Sequence, residues 1–319
     1  MVFSLCPDHN GSLGKSLGKM ASPLAEVYSP PVCKLKFSDD NDPLVESEGE
    51  NCSREPCAAP RFKYRSNFPE KDIQEIRKLL TTERQVQDET CYDFWRPDYE
   101  RMMIDDWLVT RFLLRGTKLS QNEDTCVDES AIYARTMDLI RACAKFRLEY
   151  RINGSTKEDE FPFEWTKING LFNYKPDLAG NQTIYLRVKL HRPREIESKK
   201  SRHEFKRMLL YTLEKCDQNL VNRPGKGVCC VFDMSDATFE NIDIELLSWM
   251  IKSFKSCSPK LLCYVMVYNL PWFFCATFKL VSKTLMSKSN KQSLKFVYGD
   301  EILDYISPKN LPPYLAASL

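Results

Sequence analysis

The chain has 319 residues, of which 46 are basic and 44 are acidic, so its formal net charge is +2. This balance excludes the strongly basic class of dedicated nucleic-acid-binding proteins, and a hydrophobic content of 43% is sufficient for a packed core. The apolar start of the chain ends at Pro7, which is too early for a signal peptide. No window holds the roughly 18 to 20 consecutive apolar residues of a membrane-spanning helix. We therefore expect a cytoplasmic protein.

Cysteine and histidine usage argues against a metal site. The thirteen cysteines are scattered without a CxxC pair, and the chain has three histidines. A zinc site needs closely spaced thiolates or imidazoles, so the sequence predicts no metal. Several cysteines stand inside apolar runs such as GVCCVFDM, which is typical of buried thiols in a reducing compartment rather than of a disulfide framework.

The first half of the chain divides into a polar leader and a helical segment. Residues 1–60 are rich in Ser, Pro, Gly, Asp and Glu and show no sustained period, so we predict a disordered leader. From Phe68 onward, apolar residues recur at helical spacing, first at Ile73, Ile76 and Leu80. DDWLVTRFLLRGTKL and residues 129–150 repeat the pattern. The sequence therefore predicts a helical module over residues 68–152.

The periodicity then changes to that of an α/β domain. QTIYLRVKL alternates as a half-buried strand, SRHEFKRMLLYTLEKCDQNL is helical, and GVCCVFDM is a buried strand. A helix from about Asn241, the buried strand LLCYVMVYN, the short strand LKFVYG and the short helix EILDYI follow. Strand–helix–strand order implies parallel pairing. We predict an α/β domain over residues 160–317, with a mostly parallel sheet flanked by helices.

The chain carries little that indicates catalysis. It has no Gly-rich phosphate loop in a strand–loop–helix context, no GxSxG and no HExxH. His191 stands at a strand end, and Asp233 ends a buried strand, where α/β sheets place ligands or where a carboxylate holds the following loop. No nucleophile–base pair accompanies either residue. The sequence therefore predicts a protein that is not an enzyme, with no catalytic residue and no cofactor.

The most informative segment is YNLPWFFCATFKLVSKTL, residues 268–285. Pro271 suits the first turn of a helix, after which Lys279 and Lys283 share one helical face and Phe274 and Phe278 another. Rings beside lysines are typical of a helix at a membrane interface. A helix packed on the sheet with solvated lysines explains the same pattern, and composition does not separate the two interpretations.

The order and wording of these elements resemble the CRAL-TRIO family of lipid-binding domains. DDWLVTRFLLRGTKL resembles the family's helical amino-terminal module, and GLFNYKPDLAGNQTIYLRVKLHRP is similar to its first hairpin. Residues 228–286 resemble its strand–helix–strand–gate signature, and the whole resemblance covers about residues 68–315. Within the family, the sequence most resembles the amino-terminal CRAL-TRIO domain of the motile-sperm-domain-containing proteins. Those proteins tether the endoplasmic reticulum to other organelles at membrane contact sites.

The resemblance implies a CRAL-TRIO fold with an apolar cavity for one lipid, closed by a gate helix that residues 271–286 match. It implies a gate and membrane-docking surface at Trp272, Phe273, Lys279 and Lys283. The candidate lipid-cavity residues share bulk and apolar character: Phe232, Met234, Trp249, Met266, Tyr268, Phe274 and Phe278.

Departures from the family pattern concern the lipid headgroup. Phosphatidylinositol-binding members have a Glu where this chain has Lys260, and a Lys where it has Leu294, one place before Lys295. Because a one-residue shift turns a strand side chain to the other face, the pattern argues against inositol recognition. Lys260 and Lys295 are the candidate headgroup contacts.

Two functions stay open at this point. In the first, a monomeric, non-enzymatic module binds and transfers a lipid and docks transiently, as a peripheral protein, on organelle membranes. In the second, a protein-interaction or membrane-targeting module keeps the CRAL-TRIO-like fold, but its own side chains fill the pocket.

Overall fold

The computed structural model describes residues 68–84, 89–121, 128–153, 155–161, 170–196, 199–275 and 294–319. Among these residues, no helix is long and apolar enough to cross a membrane. The predicted disordered leader and the predicted residues of the gate helix after Cys275 lie outside the described residues.

The amino-terminal part of the described chain is helical. Its helices are α1 (Glu70–Arg84), α2 (Glu89–Ile104), α3 (Asp106–Gln121) and α4 (Glu129–Glu149). The predicted apolar stripe is buried: Ile76, Leu80, Phe112 and Ile140 lie in one core. Asp105 begins α3 by accepting a hydrogen bond from the backbone N–H of Leu108 at 3.2 Å, which satisfies one of the open donors of the first turn. The helical pattern predicted for α1, α3 and α4 is thus confirmed, whereas α2 was not predicted as a separate helix and ends at the exposed Ile104.

The remainder is built on a five-stranded sheet in the order β1 to β5. The strands are β1 (Leu171–Tyr174), β2 (Gln182–Arg187), β3 (Val228–Asp233), β4 (Leu262–Tyr268) and β5 (Leu294–Val297). β1 pairs with β2 antiparallel, and the other three pairings are parallel. Helix α5 (Lys199–Gln218) connects β2 to β3, and α6 (Ile244–Cys257) connects β3 to β4. The predicted α/β fold with a mostly parallel sheet is confirmed.

Two predicted boundaries were wrong. The strand predicted for QTIYLRVKL ends at Arg187, and Val188–Leu190 form a 3-10 turn instead. The helix predicted from about Asn241 begins at Ile244, because the carboxylate of Asp243 accepts a hydrogen bond from the backbone N–H of Leu246 at 2.8 Å and caps the helix there.

The two faces of the sheet are covered by different parts of the chain. Alternating residues of a strand point to opposite faces. The first face, with Ile184, Cys230 and Phe232, packs against α5 and α6. The second face is covered by residues 299–316, which end in the short helix α7 (Pro313–Ala316). Its buried apolar members on the strands are Tyr185, Cys229, Val231, Tyr264, Met266, Tyr268 and Val297.

A buried ionic contact joins the helical part to the sheet part. Arg147 of α4 donates two hydrogen bonds of 2.8 Å to the carboxylate of Asp98 and one of 2.9 Å to Glu214 of α5. Burial raises the pKa of Asp98, and the guanidinium of Arg147 opposes that rise. Planar bidentate pairing is the geometry in which arginine holds a buried carboxylate best.

A second buried contact lies next to it. Arg101 and Arg111 donate to opposite oxygens of the Asp217 carboxylate, at 3.1 and 2.7 Å. Burial acts to raise the pKa of Asp217, but the two guanidinium groups outweigh it, and the pKa lies below its usual value. Helix α5 is therefore anchored to α2, α3 and α4 through both Glu214 and Asp217.

Candidate lipid site

An apolar cluster lies at the carboxyl ends of β3 and β4, the edge of a parallel sheet where ligands bind in α/β proteins. We call it the edge cluster; its buried members are Val188, Met234, Ala237, Val267, Leu270, Phe274, Cys275 and Leu294. Phe232 and Phe296 are partly buried and pack against it. The edge cluster therefore extends the first face of the sheet to its carboxyl edge.

Asn269 fixes the loop that leaves β4. Its φ of 51° lies in the left-handed region, which asparagine tolerates better than most residues. Its side-chain NH₂ donates to the hydroxyl of Ser235 at 3.1 Å, and its side-chain oxygen accepts from the backbone N–H of Gly299 at 3.0 Å. The loops after β3, β4 and β5 are thus joined at one residue.

The segment after this loop turns one ring inward and one outward. Pro271 precedes a 3-10 turn, Trp272–Phe274, and its carbonyl accepts a hydrogen bond from the Phe274 N–H at 2.9 Å. Phe274 is 2% exposed and belongs to the edge cluster, whereas Trp272 is 57% exposed. The turn therefore carries apolar surface continuously from the interior to the outside.

Three rings form what we call the aromatic patch: Phe239, Trp272 and Phe273. The ring centroids of Phe239 and Phe273 are 5.1 Å apart, and those of Trp272 and Phe273 are 5.9 Å apart. Phe239 is 63% exposed, and nearby in the chain Ile244 is also exposed. Exposed rings grouped in this way are unusual on a protein that makes no further contact.

A small apolar cavity lies farther inside, between the first face of the sheet and helices α5 and α6. Its volume is about 20 Å³, enough for one water-sized molecule, whereas sites for small ligands usually measure about 300 to 1,000 Å³. The residues around it include Ile184, Leu209, Leu213, Phe232, Met250 and Phe254. At this position the described side chains leave room for no more than a water-sized molecule.

Comparison with known proteins bears directly on this site. Residues 165–315 match the family model of the CRAL/TRIO domain. This segment is therefore similar to the CRAL/TRIO domain. The family is one of lipid-binding and lipid-transfer domains, so lipid binding in general is the activity that the match supports.

Two further similarities were found. A CRAL-TRIO domain-containing protein of Schizosaccharomyces pombe is 26% identical over 157 residues, which are 49% of this chain and 34% of that protein. The chain therefore matches about a third of that relative's length. The crystal structure of Sfh5 is similar with a TM-score of 0.49 and 14% identity, covering 74% of this chain and 84% of that one.

The predicted cavity residues lie in three places of the part that is built on the sheet. Met234 and Phe274 belong to the edge cluster, and Phe232 packs against it. Met266 and Tyr268 lie on the second face, fully buried under residues 299–316. Since Met266 is in register with Val231, it points away from the face that carries Phe232. Phe278 lies outside the described residues, as do the gate lysines Lys279 and Lys283.

Trp249 lies where helix α6 meets the end of α4. Its indole N–H donates a hydrogen bond of 2.9 Å to the Tyr150 hydroxyl, and the two rings are 5.5 Å apart. Trp249 also packs against Leu209, Leu246 and Met250. It therefore bridges α6 to the end of α4 and does not border the edge cluster.

The candidate headgroup lysines are not brought to the edge cluster. Lys260 precedes β4 in a turn, with a φ of 57°, at the amino end of the strand. Lys295 is in register with Met266 and therefore belongs to the second face. Leu294, one residue before Lys295, is the residue of β5 that joins the edge cluster.

The two polar residues considered for function both have structural partners. Asp233 is buried and accepts a hydrogen bond from the Ser235 N–H at 3.0 Å, which confirms the loop-holding interpretation. Nε2 of His191 lies 3.2 Å from the carboxylate of Asp243, the cap of α6. Among the described residues, no group of three or more His, Cys, Asp or Glu is placed to hold a metal ion.

Phe239 is the candidate site residue that sequence reasoning missed. It stands alone in the polar loop SDATFENID, outside any periodic pattern. Because Phe239 belongs to no predicted helix or strand, no predicted apolar face would bury its ring. An isolated large ring in a polar loop was therefore the available sign of an exposed functional residue.

The cap of α6 gives a prediction about pH. Burial acts to raise the pKa of Asp243, but hydrogen bonds from His191 and Leu246 and the nearby charge of Arg202 lower it below its usual value. The carboxylate therefore stabilises the fold above the unfolded pKa of about 3.9 and loses this effect as the pH falls through the folded value. We expect Asp243→Ala to cost about 1 kcal/mol in urea unfolding at neutral pH, and progressively less below about pH 4.

The control for this measurement is Asp138→Ala. Asp138 is exposed and pairs with Arg141 on the surface of α4, so its replacement is expected to have little effect on stability at any pH. A cost for Asp243→Ala that stays constant down to the acid transition contradicts the assignment of a charged cap.

Proposed function

We propose that the chain binds a single lipid at the edge cluster and delivers it to and from membranes without catalysing a reaction. The observation that carries the proposal is the unbroken apolar path from exposed Trp272, through Phe273 and Phe274, to Met234 and Phe232. An acyl chain leaving a bilayer along this path remains in contact with apolar groups. Each methylene kept out of water is worth about 0.8 kcal/mol.

The aromatic patch is the proposed membrane-docking surface. Trp272 and Phe273 were expected there from the sequence, and Phe239 adds a ring from the loop after β3. Tryptophan and phenylalanine enter the boundary between headgroups and acyl chains readily. The proposed gate begins in the same turn, so opening and docking involve the same residues. Lys279 and Lys283 are included in the proposed docking surface on the basis of the sequence alone.

The proposed organisation is a helical module over residues 68–152 and a lipid-binding domain over residues 160–317. The buried contacts of Arg147 and Arg111 with α5 support treating them as one working unit. The sequence resembles the amino-terminal domains of the motile-sperm-domain-containing tethers, and this resemblance supports a localisation on organelle membranes. We propose a peripheral monomer there.

A second function is favoured by one observation. The cavity between the sheet and helices α5 and α6 has a volume of about 20 Å³, far below that of a ligand site. A protein-interaction module whose pocket is filled by its own side chains has this property. In that case the aromatic patch binds another protein rather than a bilayer.

Native mass spectrometry of residues 1–319 purified from eukaryotic cells separates the two functions. Lipid binding is expected to add the mass of one lipid to the chain, and solvent extraction then identifies the lipid class. An unrelated protein of similar size, purified in parallel, controls for carried-over lipid. A chain without added mass that also takes up nothing from mixed liposomes supports the interaction module instead.

A further inference from the structure

Phe232 lies between the two apolar regions of the domain. Its ring packs against the edge cluster on one side. On the other side it packs against Leu213 and Leu209 of α5 and Met250 of α6, and it lines the 20 Å³ cavity. The proposed lipid path therefore meets the ring of Phe232 before it meets the cavity.

The backbone gives this ring a fixed position. Phe232 is the next-to-last residue of β3, a central strand that is hydrogen-bonded to β2 and to β4. Its neighbours in register are Leu186 and Val267. A side chain on a central strand moves by changing its rotamer and not by displacing its backbone. The ring is therefore a barrier of defined depth.

We infer that Phe232 is the end wall of the lipid site and determines which acyl-chain length the protein prefers. This inference rests on the proposed function, since it assigns the inner end of the same site. The chain enters between the aromatic patch and the edge cluster, and its terminal methyl group stops against the ring. The apolar cavity beyond the ring, bordered by Ile184, Leu213 and Phe254, stays unused.

The chemistry of the wall gives the expected size of the effect. Phe232→Ala removes the six ring carbons, so the lipid site at the edge cluster becomes continuous with the cavity between the sheet and helices α5 and α6. Each methylene that newly enters an apolar environment is worth about 0.8 kcal/mol, or about fourfold in affinity. A ligand longer by two methylenes therefore gains roughly tenfold or more over the shorter one in the variant.

The test is a competition among saturated fatty acids from lauric to arachidic acid, offered together to the full chain and read out by native mass spectrometry. We expect Phe232→Ala to shift the bound population toward longer acids, and Phe232→Leu to shift it by a smaller step. The leucine variant keeps most of the buried volume. If the alanine variant folds poorly, the chain-length preference of the leucine variant tests the assignment instead.

The matched control is Phe296→Ala. Phe296 also packs against the edge cluster, but it stands on β5 and is not among the residues around the cavity. It is expected to change total binding without lengthening the preferred chain. Fatty acid binding with the same length preference in all variants overturns the assignment of Phe232 and leaves the proposed function standing. No fatty acid or co-purified lipid on the wild-type chain overturns both.

Discussion

Replacing Arg147 by Met is expected to lower the free energy of unfolding by roughly 3 to 5 kcal/mol. The substitution keeps an apolar stem of similar length but removes the charge that pairs with both Asp98 and Glu214. The side chains of both carboxylates are less than a tenth exposed, so water does not replace the lost partner. Two buried negative charges then face each other, and most of the attraction that offset their desolvation is lost, because the remaining guanidinium of Arg101 is 3.9 Å from Glu214.

Urea unfolding at neutral pH measures this effect, with Arg141→Met as the matched control. Arg141 also lies on α4 and pairs with Glu83 and Asp138, but on the exposed surface. Its loss is expected to cost about 1 kcal/mol or less. Similar losses of stability in the two variants contradict the assignment of a buried contact at Arg147.

The same variant carries a pH signature. Burial already raises the pKa of Asp98 with Arg147 present, and without the guanidinium the pKa rises further. A folded-state pKa above the unfolded value means that the folded state binds the proton more tightly, so stability increases as the pH falls through that range. We therefore expect the deficit of Arg147→Met to shrink on mild acidification.

Membrane association is expected to fall at least roughly tenfold for each of Trp272→Asp and Phe239→Asp. An aromatic ring offers about 150 to 250 Å² of surface, and burial of even half of it at about 25 cal/mol per Å² exceeds the 1.4 kcal/mol that corresponds to a factor of ten. Both rings are more than half exposed in the protein, so their replacement is not expected to disturb folding.

Flotation with phosphatidylcholine vesicles is the measurement, and Leu178→Asp is the matched control. Leu178 is also 57% exposed, but it lies in the turn between β1 and β2, at the edge of the sheet opposite the aromatic patch. Its replacement is expected to leave vesicle binding unchanged. Equal losses for all three variants point to general hydrophobicity rather than to a docking surface. Unchanged binding for Trp272→Asp and Phe239→Asp contradicts membrane docking through the patch.

The sequence predicted the strands and helices well, but it did not predict which of their residues share a face of the sheet. The alternation in QTIYLRVKL identified β2, and the continuous run GVCCVFDM identified β3, because burial on one or both faces leaves a direct trace in the pattern. Phe232 and Met266 were assigned to one cavity, yet they face opposite sides of the sheet. The pairing of β3 with β4 shifts register between Val228 and Cys229. Such a shift depends on local backbone geometry and reverses the faces of all later residues.

The positions of Trp249 and Phe239 depend on contacts between distant segments. Helical periodicity placed Trp249 on the apolar stripe of α6, but it gave no indication that Tyr150, 99 residues earlier, accepts its hydrogen bond. Phe239 lies next to Phe273 because Asn269 joins the loops that carry them. Long-range contacts of this kind have no local signature in a single sequence.

The strand order has a consequence for the synthesis of the protein. The sheet follows the order of the chain from β1 to β5, so each strand leaving the ribosome finds its neighbour already present, and amino-terminal segments fold first. Arg111 in α3 depends on Asp217, 106 residues later, for its salt bridge. We expect the guanidinium of Arg111 to lack its carboxylate partner in the nascent helices until α5 emerges. Once α5 supplies Asp217, the helical segment gains its remaining salt bridge. This happens just before β3 is synthesised and pairs with β2.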